Sequence, residues 1–354
     1  MSKEYKFEVF TSLENLKEYW KSIEDENCYD IFQSFFWQNN WFRCFGKNSY
    51  IILVLDRNNE LIGILPFVKH KIFMFQILKF SGMPFLDYGD VLIKKNFTID
   101  YKAIKKQLIN FIKKNKIADG IFLDNIKTNS NTIKMFNNVD VYKKDYSAYQ
   151  LIKNNNNHFN IFKKFELDTR RQIRRLENLG NLTYHVVKSE NELNNLMIFF
   201  VKHKKIQLKN TNNWNYLDSD EIKKFLSLIY RNNKYSHISY LCLDNKIISL
   251  HIGSIFKKKL FYLFPTYDQY YKNYSPGNVL LYNLLKDQSL NANEIDFTTG
   301  DEPYKLKISN SKTEIYFVFS SLNFKGSLIK LIMLFKIYIK KIIFLNSLYR
   351  KIFY

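Results

Sequence analysis

Residues 294–310 read EIDFTTGDEPYKLKISN, an apolar run that breaks at Thr-Thr-Gly and then crowds two acids, a tyrosine and a lysine into the next five positions. A surface turn requires the glycine and one polar residue. It does not require Asp301, Glu302, Tyr304 and Lys305 together at the tip of a strand. A carboxylate, a phenol and an ammonium in such proximity have the types for proton transfer and for holding an anion. The plainer reading is a solvated Asp301–Lys305 ion pair, which contributes little.

Three further groups have suitable types and spacing. In Ser275-Pro276-Gly277-Asn278-Val279 the proline suits the first turn of a helix, which leaves the amides of Gly277, Asn278 and Val279 directed at whatever precedes it. With a glycine permitting close approach, those amides and the helix dipole make a site for a pyrophosphate; the plainer reading is a helix start capped by Ser275. Arg170, Arg171, Arg174 and Arg175 recur at i, i+1, i+4 and i+5, which places pairs on adjacent helix faces able to grip phosphates, or else forms a solvated basic face. His203, at the end of LMIFFVKHKKIQL, has an unperturbed pKa near ~6.5 that suits a general base, although a lone histidine there also serves as an ordinary polar residue. Trp37 and Trp41, four apart, read as core of the first domain.

The elements that must carry these residues come in two similar sets. YIILVLDRNNELIGILPFV (50–68) is a hairpin, followed by a strand in FMFQILKFSG, a helix in IDYKAIKKQLINFIKKN and a strand in GIFLDNI. The same order returns over 237–299: a hairpin turned at Asp244-Asn245, the strand KLFYLFPTYD, the helix PGNVLLYNLLKDQSL and the strand EIDFTTG. The Asn-rich stretch LIKNNNNHFN (151–160) reads as a linker. After it, FKKFELDTRRQIRRLENLG is a helix whose core turn Asp168 or Thr169 can cap and which Gly180 can end, with the strand LTYHVV and the helix ENELNNLMIFFVKHKKIQL beyond. The expected domains are 1–150, 151–322 and a C-terminal helix over 323–354.

A chain of 354 residues is long enough for two cores, since single cores stop growing near ~250–300 residues. Hydrophobic residues at 46% and aromatics at 17% exclude a mostly disordered chain. The net charge of +21 comes almost wholly from lysine, with only eight arginines, so it raises general polyanion affinity without marking a specific nucleic-acid site. Cys28, Cys44 and Cys242 have neither metal-ligand nor redox spacing and are odd in number, which fits a reducing cytoplasm. The first ten residues lack the apolar core of an export signal. The six histidines form no zinc motif.

FQSFFWQNNWFRCFG (32–46), the NELIGILPF hairpin, the TRRQIRR helix, His203, YSPGNVLLYNLL (274–285) and DFTTGDEPYK (296–305) occur in an order that resembles one family, the CelD-like GNAT acyltransferases named for cellulose biosynthesis, relatives of the Fem peptidoglycan aminoacyltransferases. The resemblance covers roughly residues 30–310. It implies an α/β (α+β) fold of tandem GNAT-like domains, the first degenerate and the second catalytic, with mixed, mostly antiparallel sheets flanked by helices. It also implies transfer of an acyl group from a thioester, acetyl-CoA or another acyl-CoA, to an amine, without a metal. Ser275, Pro276, Gly277, Asn278 and Val279 would then hold the donor, although this stretch is less glycine-rich than the usual phosphate loop of the superfamily. Asp301 would orient or deprotonate the acceptor, Tyr304 would donate to the departing thiolate, His203 would be an alternative base, and Lys305, Arg170, Arg171 and Arg174 would hold anionic parts of the substrates. The acceptor class is an amino sugar in surface polysaccharide assembly. The alternatives are a Fem-like transferase that draws on aminoacyl-tRNA and a non-catalytic basic protein that binds membrane or nucleic acid.

The last residues, FKGSLIKLIMLFKIYIKKIIFLNSLYRKIFY, contain no acid. On a helical wheel Lys330, Lys336, Lys340, Lys341 and Lys351 fall in one half and Leu331, Leu334, Phe335, Tyr338, Ile342 and Leu345 in the other. Residues 327–354 therefore suit either peripheral contact with the inner face of a membrane or packing on the body of the protein.

Overall fold

The structure is a computed structural model that describes residues 3–26, 30–95, 97–136, 140–153, 158–187, 189–211, 215–231 and 234–353. In chain order its strands are β1 (Lys6–Phe10), β2 (Ser49–Leu55), β3 (Leu61–Ile72), β4 (Phe75–Phe80), β5 (Leu92–Ile93), β6 (Gly120–Lys127), β7 (Val141–Ile152), β8 (Leu182–Val186), β9 (Ser236–Leu243), β10 (Lys246–Phe256), β11 (Lys259–Tyr267), β12 (Glu294–Thr299) and β13 (Ser311–Ser321). Its helices are α1 (Lys17–Glu26), α2 (Phe35–Phe45), α3 (Tyr101–Lys114), α4 (Asn131–Phe136), α5 (His158–Glu177), α6 (Leu193–Asn210), α7 (Asp220–Tyr230), α8 (Pro276–Lys286), α9 (Pro303–Ile308) and α10 (Phe324–Phe353). The chain divides into two compact units, one of residues 1–27, 46–144 and 316–354 and the other of 28–45 and 145–315.

In the first unit the strand order is β1-β2-β3-β4-β6, with β5 on β3. The pairs from β1 to β4 are antiparallel. The chain then passes through α3, whose first turn Asp100 caps by accepting from the Ala103 amide, and returns as β6 parallel to β4. In the second unit the order is β7-β12-β11-β10-β9-β8. Antiparallel β9, β10 and β11 are followed by α8, and β12 returns parallel to β11. The repeat read in the sequence is thus a repeat of pairing as well as of order. Asp244 and Asn245 both have positive φ, 47° and 65°, as a two-residue hairpin turn of type I′ demands.

The structure corrects several local expectations. Trp37 and Trp41 are core residues, but of the second unit. Trp37 is fully buried and meets Phe32 and Phe225 edge-on at 5.0 and 5.4 Å, because α2 packs on α7. The expected linker is shorter at both ends: β7 runs to Ile152 and α5 starts at His158, while 154–157 lie outside the described residues. Asp168 and Thr169 therefore stand in mid-helix, and the Thr169 hydroxyl donates back to the Phe165 carbonyl at 2.7 Å instead of capping. Gly180 follows the end of α5 without a left-handed φ; a side chain there would overlap the Asp244 carboxylate, which accepts from the Asn181 amide at 2.7 Å.

Helix α10 packs one face on the first unit. Ile329, 3% exposed, clusters with Phe75, Ile77 and Phe319, and Met333 packs against them. Lys330, expected on a solvent-facing lysine half, is instead drawn inward to Asp140 at 3.1 Å. The side chains of Tyr338, Lys340, Lys341, Ile342, Leu345 and Lys351 lie outside the described ones.

Candidate functional site

Parallel pairing of β11 with β12 is confined to Lys259↔Glu294, Leu260↔Ile295 and Phe261↔Asp296. Beyond that level β11 continues to Tyr267 on β10, and β12 turns toward β7, pairing Thr299 with Ala148. The strands part, and both are bulged where they do. The β10–β11 register passes from Ser254↔Phe261 to Ile252↔Phe264, so Tyr262 and Leu263 together oppose Gly253. A side chain at Gly253 would overlap the Phe261 carbonyl. On β12 the register shifts between Asp296 and Thr299, and Thr298 takes a left-handed φ of 59°. Asp296, fully buried, accepts the Thr298 amide at 2.8 Å and so fixes this bulge. Past Phe261 and Asp296 the two strands no longer pair with each other; the Pro265 carbonyl there accepts from Lys204 and the Thr299 carbonyl from Lys305.

The Thr-Thr-Gly turn follows, with Gly300 at a φ of 116° and its amide on the Ser147 carbonyl. Asp301 is exposed, and its Oδ1 accepts from the Tyr149 hydroxyl at 2.8 Å and the Ser147 amide at 3.3 Å. Burial pushes the Tyr149 hydroxyl up to about 12, with the Asp301 carboxylate adding to the shift. Tyr304 stands on the first turn of α9, its ring 6.1 Å from Phe297 and 6.4 Å from Tyr262. Burial holds its hydroxyl well above the ordinary range, with Tyr262 and Glu302 acting in the same direction. It is therefore a protonated donor at neutral pH.

Lys305 does not pair with Asp301. It is 3% exposed, and its ammonium donates to the Thr299 carbonyl at 2.7 Å and meets Glu302 at 2.9 Å. It closes the turn from inside.

His203 lies on α6, 6% exposed, with Nδ1 3.8 Å from Asp268 and its ring 4.3 Å from Phe199. Burial lowers its pKa against the pull of Asp268, and Lys202 and Lys246 lower it further, so the ring is neutral at neutral pH. Asp268 heads the segment that leads into α8, which puts His203 beside that segment rather than beside Asp301 in the contacts described. Its neighbour Lys204 donates to the Pro265 carbonyl on the diverging part of β11 at 3.0 Å. Burial pushes Lys204 down to about 8, with Glu302 opposing.

Nothing in KHKK distinguishes Lys204 from the many other lysines, and sequence reasoning missed it. Its titration is testable. From an ordinary 10.5 when unfolded to about 8 when folded, the native chain binds fewer protons across that window, so stability rises with pH through it. In Lys204→Met this contribution disappears. The wild-type stability, measured by urea unfolding near pH 7 and near pH 10, is expected to gain relative to the variant at the higher pH; a constant difference would show that Lys204 titrates as an ordinary lysine.

At the start of α8, Ser275 is left-handed at φ 49° and its hydroxyl makes no cap. Its carbonyl accepts from the amides of Asn278 at 3.0 Å and Val279 at 3.2 Å. Of the three amides expected to face outward, only that of Gly277 has no partner among the described residues. Gly277 has an ordinary φ, and a Cβ there would meet only the Tyr267 ring, at 3.7 Å.

The arginine cluster divides. Arg175 donates to the Asn273 carbonyl at 3.0 Å and lies 4.7 Å over the Tyr274 ring, directly beside the segment that enters α8. Arg170 pairs with Glu166 at 3.2 Å, and Glu166 also accepts the Tyr282 hydroxyl at 2.6 Å. Arg171 and Arg174 are exposed. Among the described residues no three of His, Cys, Asp and Glu are grouped to hold a metal.

Residues 163–306, all within the second unit, match the family described as an acetyltransferase (GNAT) domain. No curated protein matches the chain. The crystal structure of FemX is similar at a TM-score of 0.57 and 13% identity, over 93% of this chain and 99% of that one. L-PGS from Bacillus licheniformis is similar at 0.52 and 11%, over 86% and 92%. A tandem GNAT protein from the clavulanic acid biosynthesis pathway is similar at 0.51 and 8%, over 90% and 99%. At such identities the structural likeness is one of fold. The chain has the mixed, mostly antiparallel α/β architecture of tandem GNAT proteins, and its residues 163–306 match a GNAT-type acetyltransferase domain.

Proposed function

We propose that the second unit transfers an acyl group, acetyl in the first instance, from acyl-CoA to an amine, and that the acceptor is an amino sugar used in surface polysaccharide assembly in the cytoplasm. The observation that carries the donor half is the gap between β11 and β12 beside the start of α8. A thioester arm would enter where β11 and β12 cease to pair, and the pyrophosphate would meet the Gly277 amide with Arg175 alongside. Packing and backbone conformation give Gly277 no reason to be glycine, which supports close approach of a ligand.

The neutral amine attacks the thioester carbonyl. The C–N bond forms, the C–S bond breaks, and the proton lost from nitrogen passes to Asp301. Tyr304, held protonated, donates a hydrogen bond to the departing thiolate, which water then protonates. His203 is the alternative base.

The test is amine-dependent release of free thiol from acetyl-CoA with a panel of amino sugars. Tyr304→Phe, which loses one neutral hydrogen bond of about 1 kcal/mol, is expected to slow turnover roughly fivefold with little change in acceptor KM. Failure of every amine on the panel would overturn the reading. A second donor, aminoacyl-tRNA, is favoured by one observation: Arg171 and Arg174 stand exposed on the helix whose Arg175 reaches the segment before α8. Transfer from charged tRNA but not from acetyl-CoA would select it.

A further inference from the structure

Over its described side chains helix α10 is apolar on two faces, and packing uses one of them. While Ile329 and Met333 turn inward, Phe324 is 83% exposed, Leu328 43%, Leu331 67%, Ile332 51% and Phe335 62%. Their positions, i, i+4, i+7, i+8 and i+11, form one continuous stripe. The stripe does not end with the helix. A cleft at its start is lined by Met74, Gln76, Lys113, Lys116, Phe324 and Lys325. Met74 and its neighbour Phe73, at the tip of the β3–β4 turn, are 69% and 90% exposed. Lys113, Lys116 and Lys325 are exposed as well. The one acid in the cleft, Asp119, is occupied, accepting from the Gln76 amide and the Asn323 side chain, each at 2.8 Å.

We propose that this face of the first unit lies on an anionic bilayer surface, with Phe73, Met74, Phe324, Leu331 and Phe335 entering the headgroup–acyl boundary and the lysines meeting the lipid phosphates. Three observations select this occupant. No helix among the described residues is long and apolar enough to cross a membrane, so the stripe is a surface feature. No acid occurs from residue 324 to the end of the chain. A second copy docked through the same patch in two-fold fashion would set lysine against lysine, whereas an anionic surface satisfies both the apolar stripe and its basic border. The charge expected of the helix itself is partly redirected, since Lys330 is held by Asp140; the basic border is supplied instead by Lys113 and Lys116 of the α3 end and by Lys325.

The experiment is co-sedimentation of the full chain with phosphatidylcholine vesicles, with or without about one third phosphatidylglycerol. The chain is expected to pellet with the anionic vesicles and to remain largely in solution with the neutral ones. Phe324→Ser, Leu331→Ser and Phe335→Ser together should lower the partition coefficient at least tenfold, and Lys113→Ala, Lys116→Ala and Lys325→Ala together by about 100-fold. All six side chains are exposed, so melting temperatures should stay put, which keeps folding apart from binding. An apolar triple variant that pellets as the wild type does would reduce the effect to general lysine attraction and overturn the proposal. Wild type that stays in solution, or that sediments as a dimer which the apolar variant abolishes, would overturn it too.

Discussion

Asp301→Asn is expected to lower the rate of acyl transfer by at least ~100-fold with the acceptor KM nearly unchanged, because a general base typically contributes ~100- to 10,000-fold. The substitution is nearly isosteric. An asparagine oxygen can still accept from the Tyr149 hydroxyl and the Ser147 amide, which with the Gly300 amide on the Ser147 carbonyl tie the turn to β7, so the melting temperature should fall only slightly. Tyr149→Phe supplies the control. It removes one of those bonds and leaves the carboxylate, so a role confined to positioning predicts similar losses in both variants, whereas proton acceptance predicts a far larger loss for Asp301→Asn. Steady-state kinetics with a working acceptor, beside a melt of each variant, decides between them. Full turnover in a folded Asp301→Asn protein would remove Asp301 from the chemistry and make His203 the next base to replace.

Gly277→Asp should weaken donor binding by roughly 4- to 270-fold, the range given by two unit charges about 5 Å apart at effective dielectric constants between ~80 and ~20. Folding and binding are expected to move in opposite directions, because a carboxylate in the first turn of α8 favours the helix dipole while opposing the phosphates. Gly277→Ala separates size from charge. The added methyl has only the Tyr267 ring near it, at 3.7 Å, so the protein should tolerate it, and any loss of affinity reports how closely the donor approaches the backbone. Titration calorimetry with acetyl-CoA is the measurement. Unchanged affinity in Gly277→Asp would place the donor elsewhere.

The repeated set of strands was legible because hairpins, turn residues and helical spacing are local signals, and Asp244-Asn245 was read correctly as a tight turn for the same reason. β7 was not, since VYKKDYSAYQLI alternates poorly and its partner β12 lies far along the chain. The second unit's claim on Trp37 was equally hidden: helical spacing says that a tryptophan is buried, not which residues it is buried against. Within the site the crowding after Thr-Thr-Gly marked a turn with a left-handed Gly300, but the partners of its side chains were not legible from their spacing. Lys305 faces inward, pairing with Glu302 and the Thr299 carbonyl rather than with Asp301. Burial separates the alike lysines of this chain, and burial follows from packing that composition does not encode.

The interleaving of the two compact units has a consequence during synthesis. Every residue of the second unit has left the ribosome once residue 315 has emerged, while the first unit still awaits the end of β13 and all of α10. The unit that starts first finishes last. Until then the surface of Phe75 and Ile77 that Phe319 and Ile329 will cover stays open, a hydrophobic patch on a nascent chain and a natural foothold for a chaperone. The same interleaving means that cutting the chain near residue 145 does not yield two self-sufficient halves: a fragment beginning there lacks Phe32 and Trp37, which pack against Phe261 and Phe225 in the second unit's core.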